Sequence, residues 1–144
     1  MPDMTAPSVP ASLRTWFVIH FILDIVFAVP LFLFPHATLA LFGWPAIDPL
    51  ATRLVAAALF GIGIESLLGR HASAESFKNF LNLKIIWSGS ATLGILAAII
   101  WNGYAAVPAA WLLLIVFFAF NLLWVYYRVR LGASRQLAPP GTGA

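Results

Sequence analysis

The chain contains no cysteine and few charged residues. Without cysteine it has no disulfide, no thiolate nucleophile and no cysteine-ligated metal. Charged residues make up 9 % of its 144 residues, against roughly 25 % in soluble domains. Its formal net charge of +3 is too sparse for a nucleic-acid-binding surface. With 62 % hydrophobic residues, the composition excludes a soluble domain.

Motifs for common cofactors and metals are also absent from the sequence. His20, His36 and His71 fall at different depths, so neither a bis-histidine haem site nor a zinc site has its ligand set. No phosphate-binding loop is present, and Gly61 and Gly63 lie inside an apolar segment rather than after a strand. The sequence therefore predicts no metal, identifies no cofactor and assigns no catalytic residue.

Long apolar segments dominate the chain. A helix needs about 20 apolar residues to cross a bilayer core about 30 Å thick. Four segments reach this length, and we predict helices at residues 13–34, 49–69, 74–101 and 108–131. The predicted fold is an all-α, antiparallel four-helix membrane bundle over residues 13–131, with disordered tails at 1–12 and 132–144.

A shorter apolar segment connects the first two spans. Residues 35–43 cannot cross a membrane, so we predict a short helix that lies at the interface, followed by Trp44 as an interfacial aromatic. Asp48 precedes Pro49, and this pair predicts a helix start because aspartate caps free backbone N–H groups. Ser73 is predicted to cap the next helix in the same way.

Basic residues predict the orientation of the bundle. By the positive-inside rule, the side that carries more lysine and arginine faces the cytoplasm. Arg53 lies at one side, and six basic residues lie at the other, which also holds both termini: Arg14, Arg70, Lys78, Arg128, Arg130 and Arg135. We therefore predict a bacterial inner-membrane protein with both termini in the cytoplasm.

A reporter fused after Ala144 tests this orientation. A reporter that works only in the cytoplasm should be active, because the chain crosses the membrane an even number of times. Activity of a second reporter that works only outside the cytoplasm would contradict the prediction.

Polar residues form a layer at one depth of the predicted bundle. They lie five to seven residues inside the basic end of each helix, or about 8–11 Å deep. A charge at such a depth costs roughly 2.5–3.5 kcal/mol on insertion scales, so partners within the protein are expected. The layer comprises His20, Glu65, Lys84 and Asn121, with Asp24 and Ser88 one turn deeper on the faces of His20 and Lys84.

Glu65 and Lys84 are predicted to form an ion pair, because a short loop joins their helices and makes them neighbours. Two interpretations of the layer remain open. In the first, the pair fixes helix register and has no other role, with His20 and Asn121 as hydrogen-bonding neighbours. In the second, His20, Asp24, Glu65 and Lys84 form a pocket that relays protons or binds the head group of a lipophilic ligand.

Small residues indicate close helix packing. We predict contacts at Ala57, Gly61 and Gly63 of the second span and at Gly89 and Gly94 of the third, with a ligand cleft or dimer seam as alternatives. Most phenylalanines and tryptophans are predicted to face lipid or the interface. The last span is predicted to end in interfacial anchors that include Trp124, Tyr126 and Tyr127.

The pattern Leu41-Phe42-Gly43-Trp44-Pro45, with Arg53 seven residues before Phe60-Gly61-Ile62-Gly63, resembles the small four-helix bacterial membrane proteins grouped as DoxX-like. The resemblance covers most of residues 13–131. It implies a membrane-embedded protein, in some cases associated with respiratory or redox systems. It assigns no functional residue.

Three functions are compatible with these features. The first is a non-catalytic membrane protein, either an accessory subunit of a larger complex or a binder of a quinone, lipid or isoprenoid at the polar layer. The second is a dimeric proton-coupled transporter that uses Glu65 or Asp24 as the coupling carboxylate. The third is a lipid-modifying enzyme with His20 and Asp24 as acid and base. The bilayer is the predicted environment, and the oligomeric state stays open.

Overall fold

The computed structural model describes residues 9–136, with side chains through residue 133. Its helices are α1 (Ala11–Leu33), α2 (Pro35–Leu41), α3 (Pro49–Leu68), α4 (Ala74–Trp101) and α5 (Pro108–Gln136). Single 3₁₀ turns at Gly69–His71 and Tyr104–Ala106 precede α4 and α5. The predicted all-α bundle with a short helix between the first two spans is confirmed.

The four long helices within residues 9–136 are each long and apolar enough to cross a membrane. They alternate in direction, so the first and last described residues lie at one end, which we call the proximal end. The distal end carries α2 and the connection between α4 and α5. Apolar side chains cover most of the outer surface, including Val26, Leu54, Ile86 and Ile115, which are 58–67 % exposed. Such a surface requires lipid around it.

The predicted helix starts follow from local chemistry. Asp48 Oδ1 accepts hydrogen bonds from the backbone N–H of Leu50 at 2.8 Å and of Ala51 at 3.1 Å. Ser73 Oγ accepts from the N–H of Ser76 at 3.3 Å. Both predicted caps are confirmed, and each satisfies a backbone donor that the helix itself leaves unpaired.

The last helix is longer than predicted. It continues five residues past Leu131 to Gln136, because the sequence places no proline there before residue 139. Residues 1–8 and 137–144 of the two predicted tails lie outside the described residues.

The long helices pack as two close pairs, α1 with α3 and α4 with α5. The short loop does make α3 and α4 neighbours, since Lys84 of α4 contacts Ser66 of α3, but their backbones lie farther apart than those of the two close pairs. Two glycines explain the pairing. A Cβ on Gly63 of α3 would lie 2.7 Å from Asp24 Cβ of α1, and one on Gly89 of α4 would lie 3.2 Å from Asn121 Nδ2 of α5. At Gly63 a side chain would force Asp24 to move, and at Gly89 it would press on the Asn121 amide, so glycine favours both close approaches.

The other predicted packing residues do not pack within the chain. Ala57 is exposed, and a Cβ on Gly61 or Gly94 would meet no atom within 4 Å. Among the described residues, Gly63 and Gly89 thus lie at close helix contacts, whereas Ala57, Gly61 and Gly94 do not, and a ligand cleft or dimer seam at these three stays a prediction. Ala57 and Gly61 lie away from the buried face of α3, which is formed by Thr52, Ala56, Gly63 and Ser66.

Large aromatic side chains fill the space between the helix pairs at the proximal end. Trp124 is 1 % exposed and Tyr127 is 4 % exposed, and they pack with Phe17 of α1 and Phe77 of α4. The prediction that these two residues of α5 are interfacial anchors is wrong, whereas Tyr126, at 55 % exposed, is consistent with it. These rings pack α1 against α4 and α5 at the proximal end.

A polar cluster between the helix pairs

Lys84 lies at the centre of a polar cluster inside the bundle. It is 3 % exposed, and its Nζ donates to Ser66 Oγ of α3 at 2.6 Å. The same Nζ lies 3.3 Å from His20 Nδ1 of α1. One ammonium group of α4 therefore joins both helices of the opposite pair.

Two aromatic rings complete the surroundings of this ammonium. Lys84 Nζ lies 5.0 Å from the ring centre of Phe17 and 5.2 Å from that of Trp124. Ring faces attract cations, by about 2 kcal/mol or more where water is excluded. The rings thus stabilise the charge that burial opposes.

His20 links Lys84 to Asp24 through a single nitrogen. Its Nδ1 lies 2.8 Å from Asp24 Oδ2, within ion-pair distance, although Oδ2 is buried and has no partner in hydrogen-bond geometry. Because one imidazole nitrogen either donates or accepts, Nδ1 cannot donate to Asp24 and accept from Lys84 together. The contacts of the cluster therefore depend on where its protons lie.

A second set of polar contacts joins α4 to α5. Asn121 Nδ2 donates to the carbonyl of Ile85 at 2.9 Å and to Ser88 Oγ at 3.0 Å. Ser88 Oγ in turn donates to the carbonyl of Lys84 at 2.7 Å. The structure thus brings all the predicted polar-layer residues except Glu65 into two sets of direct contacts, which meet at the α4 backbone.

Glu65 does not form the predicted ion pair. Among the side chains of residues 9–133, it has no cationic partner within 4.0 Å, and Lys84 instead contacts Ser66 and His20. The reason is helical geometry, because residue 66 lies on the buried face of α3 and residue 65 points about 100° away. Glu65 is half-buried and lines a small cleft together with Lys84.

Ser66 is the cluster residue that the sequence analysis missed. It is 1 % exposed, and its hydroxyl donates to the carbonyl of Ile62 at 2.6 Å while it accepts from Lys84. A signal was present, since Ser66 follows Gly63 by three residues and so shares the helix face that approaches α1. The prediction placed its charged neighbour Glu65 in the layer, and Glu65 lies on an adjacent face of α3.

The cluster does not contain the donors of a metal site. Within the described residues, no group of three or more histidine, cysteine, aspartate or glutamate side chains converges. The chemistry available in the two sets of contacts consists of an ammonium, an imidazole, a carboxylate, two hydroxyls and a carboxamide. These groups bind polar atoms and exchange protons.

Neither a protein-family model, a curated protein sequence nor a solved structure matches the chain. The resemblance to DoxX-like proteins therefore stays a prediction. Fold and composition nevertheless define the class, and the chain is a small multi-pass membrane protein with four candidate spans.

Proposed function

We propose that the protein binds the polar end of a membrane-dissolved small molecule, such as a quinone, lipid or isoprenoid, in the cleft between α3 and α4. The cleft combines polar side chains of Glu65, Ser66 and Lys84 with apolar walls, and this combination carries the proposal. Sites for small molecules have such a composition, apolar walls with a few oriented polar groups. The walls are formed by Phe17, Ile62, Phe80 and Leu83.

The polar groups of the cleft suit a ligand with oxygen atoms. Lys84 Nζ carries three N–H donors, of which one donates to Ser66 Oγ, and it lies 3.3 Å from His20 Nδ1. A carbonyl or hydroxyl oxygen is an acceptor that competes for this ammonium. Glu65, which has no ion-pair partner among the described side chains, supplies an acceptor for a ligand hydroxyl.

Opening the cleft needs no separation of tightly packed backbones. It now has about 10 Å³ of free space, room for about one water. Leu83 borders it and is 50 % exposed. Because α3 and α4 belong to different close pairs and Leu83 is half exposed, rotation of Leu83 makes room for a head group from the lipid side.

The polar residues do not form a continuous path across the bundle, and this favours ligand binding over proton-coupled transport. Along α4 the hydrogen-bonded hydroxyls end at Thr92, whose Oγ1 donates to the carbonyl of Ser88. Between Thr92 and the distal end, the described core of α4 and α5 is apolar and includes Ile99, Val107 and Ala110. The buried hydroxyls of Thr38 and Thr52 elsewhere at this end donate to backbone carbonyls. A proton entering at the cluster thus meets roughly 13 Å of helix without a relay group.

Blocking the cleft tests the proposal. Wild-type protein and the Leu83→Trp variant are purified after mild extraction, and their organic extracts are compared by mass spectrometry. We expect one compound enriched over bulk lipid in wild type and reduced at least fivefold in Leu83→Trp, because an indole at the border fills the entry.

Leu93→Trp is the matched control, since Leu93 lies on the same helix, is 69 % exposed and is remote from the cleft. It should retain the compound. Equal loss in both variants, or no enrichment in wild type, would contradict a ligand site here. Co-purification of another membrane protein without a compound would favour an accessory subunit instead.

A further inference from the structure

A second candidate site lies at the distal end, far from the polar cluster. A groove of about 440 Å³ runs between the end of α1, α2 and the start of α3. Its lining combines two groups that interact with anions, Arg53 and His36, with the apolar side chains of Leu33, Phe34 and Ala37. The volume falls within the range of small-molecule sites.

Arg53 lies inside a candidate membrane span and is not neutralised by the protein. It is one turn into the span Pro49–His71, between Leu50 and Leu54, which are 70 % and 65 % exposed. Its Nε donates to the carbonyl of Phe32 at 3.2 Å. No acidic side chain among residues 9–133 lies within ion-pair distance of its guanidinium.

A neutral carbonyl cannot balance this charge at the edge of the hydrocarbon layer. An arginine there extends toward the head-group layer, where the phosphates of lipids are the available anions. Phosphate suits the guanidinium, because its oxygens accept two parallel N–H bonds. The nearby Leu33 and Phe34 are 56 % and 64 % exposed and offer an apolar surface to an acyl chain.

We propose that this groove is a binding site for one phospholipid, with its phosphate on Arg53 and an acyl chain along Leu33 and Phe34. The position of the groove selects a lipid over a soluble anion, because the apolar side chains flank the cation on the surface that faces the bilayer. This site is independent of the ligand proposed for the cleft between α3 and α4.

Native mass spectrometry of the full chain in detergent tests the proposal, with dioleoylphosphatidylglycerol as the probe. Dioleoylglycerol, which has the same chains and no phosphate, is the matched lipid control. We expect the phospholipid to bind at least tenfold more tightly than dioleoylglycerol. Arg53→Gln should weaken phospholipid binding about five- to tenfold, whereas Arg53→Lys, which keeps the charge but loses the two parallel N–H donors, should weaken it by an intermediate amount, about two- to fivefold.

Arg130→Gln is the protein control, because it removes the same charge from an exposed position at the proximal end. It should leave the tightest phospholipid site unchanged. Equal weakening by Arg53→Gln and Arg130→Gln would assign the binding to net charge and overturn the site. Equal affinity for dioleoylglycerol, or displacement of the lipid by equimolar inorganic phosphate, would overturn it too. The comparison of lipids in wild type decides the matter even if Arg53→Gln does not fold.

Discussion

Replacing Lys84 by methionine should lower the free energy of unfolding in detergent by about 3–5 kcal/mol, the cost typical of removing one partner from a buried charge pair. Methionine keeps the unbranched shape but removes the donor to Ser66 and the contact with His20. Asp24, whose carboxylate is buried, then loses the nearby positive charge. The loss is measured by denaturant titration of the purified protein.

The double variant Lys84→Met with Asp24→Asn should recover much of this loss, because the two charges leave together. Glu65→Gln should change stability by less than about 1 kcal/mol, since the side chain has no ion pair to lose. Lys78→Met is the matched control. Lys78 Nζ lies 3.9 Å from Glu75 Oε2, and the Glu75 side chain is 73 % exposed. Glu75 therefore stays hydrated when the lysine is removed, and Lys78→Met should cost little stability. A large loss of stability in Glu65→Gln together with a small loss in Lys84→Met would contradict this prediction, because Glu65 would then hold the important charge contact.

Adding one methyl group at Gly63 should destabilise the protein by roughly 1–3 kcal/mol, as overpacking of a tight contact does. The Cβ of Gly63→Ala would lie 2.7 Å from Asp24 Cβ and 3.2 Å from Asp24 Oδ2. Either α3 moves away from α1 or Asp24 moves away from His20. Thermal unfolding in detergent measures the effect.

Gly61→Ala provides the control within the same helix. Its Cβ meets no atom within 4 Å, so the higher helix propensity of alanine should leave stability unchanged or raise it by up to about 1 kcal/mol. If both variants behave alike, the close approach of α1 and α3 at Gly63 is not what holds this pair together.

Local features could be predicted because they depend on neighbouring residues or on segment length. The four spans follow from the lengths of the apolar segments, and the start of α3 follows from Asp48 before Pro49. The depth of the polar layer also follows from counting, since each helical residue advances 1.5 Å. His20, Lys84 and Asn121 accordingly lie in two connected sets of contacts.

Contacts across the bundle could not be predicted in the same way. The short loop predicted α3 and α4 to be neighbours, and Lys84 does contact Ser66, but the loop could not show that each helix packs more closely against another partner, at Gly63 and Gly89. Trp124 was expected at the interface and lies in the core, because it fills the space that this pairing leaves. Which of two adjacent residues, Glu65 or Ser66, meets Lys84 depends on the rotation of α3 about its axis.

The sequence by itself determined that this is a four-span membrane protein with an ionisable layer near the end that carries its termini, because segment length and hydropathy are properties of the chain alone. The tertiary structure decided that Lys84 contacts Ser66 and His20 and that Glu65 stays without an ion pair. Those outcomes depend on helix rotation and on pairing at Gly63 and Gly89. Rotation and pairing are set by the packing of all four helices together, which no single segment encodes.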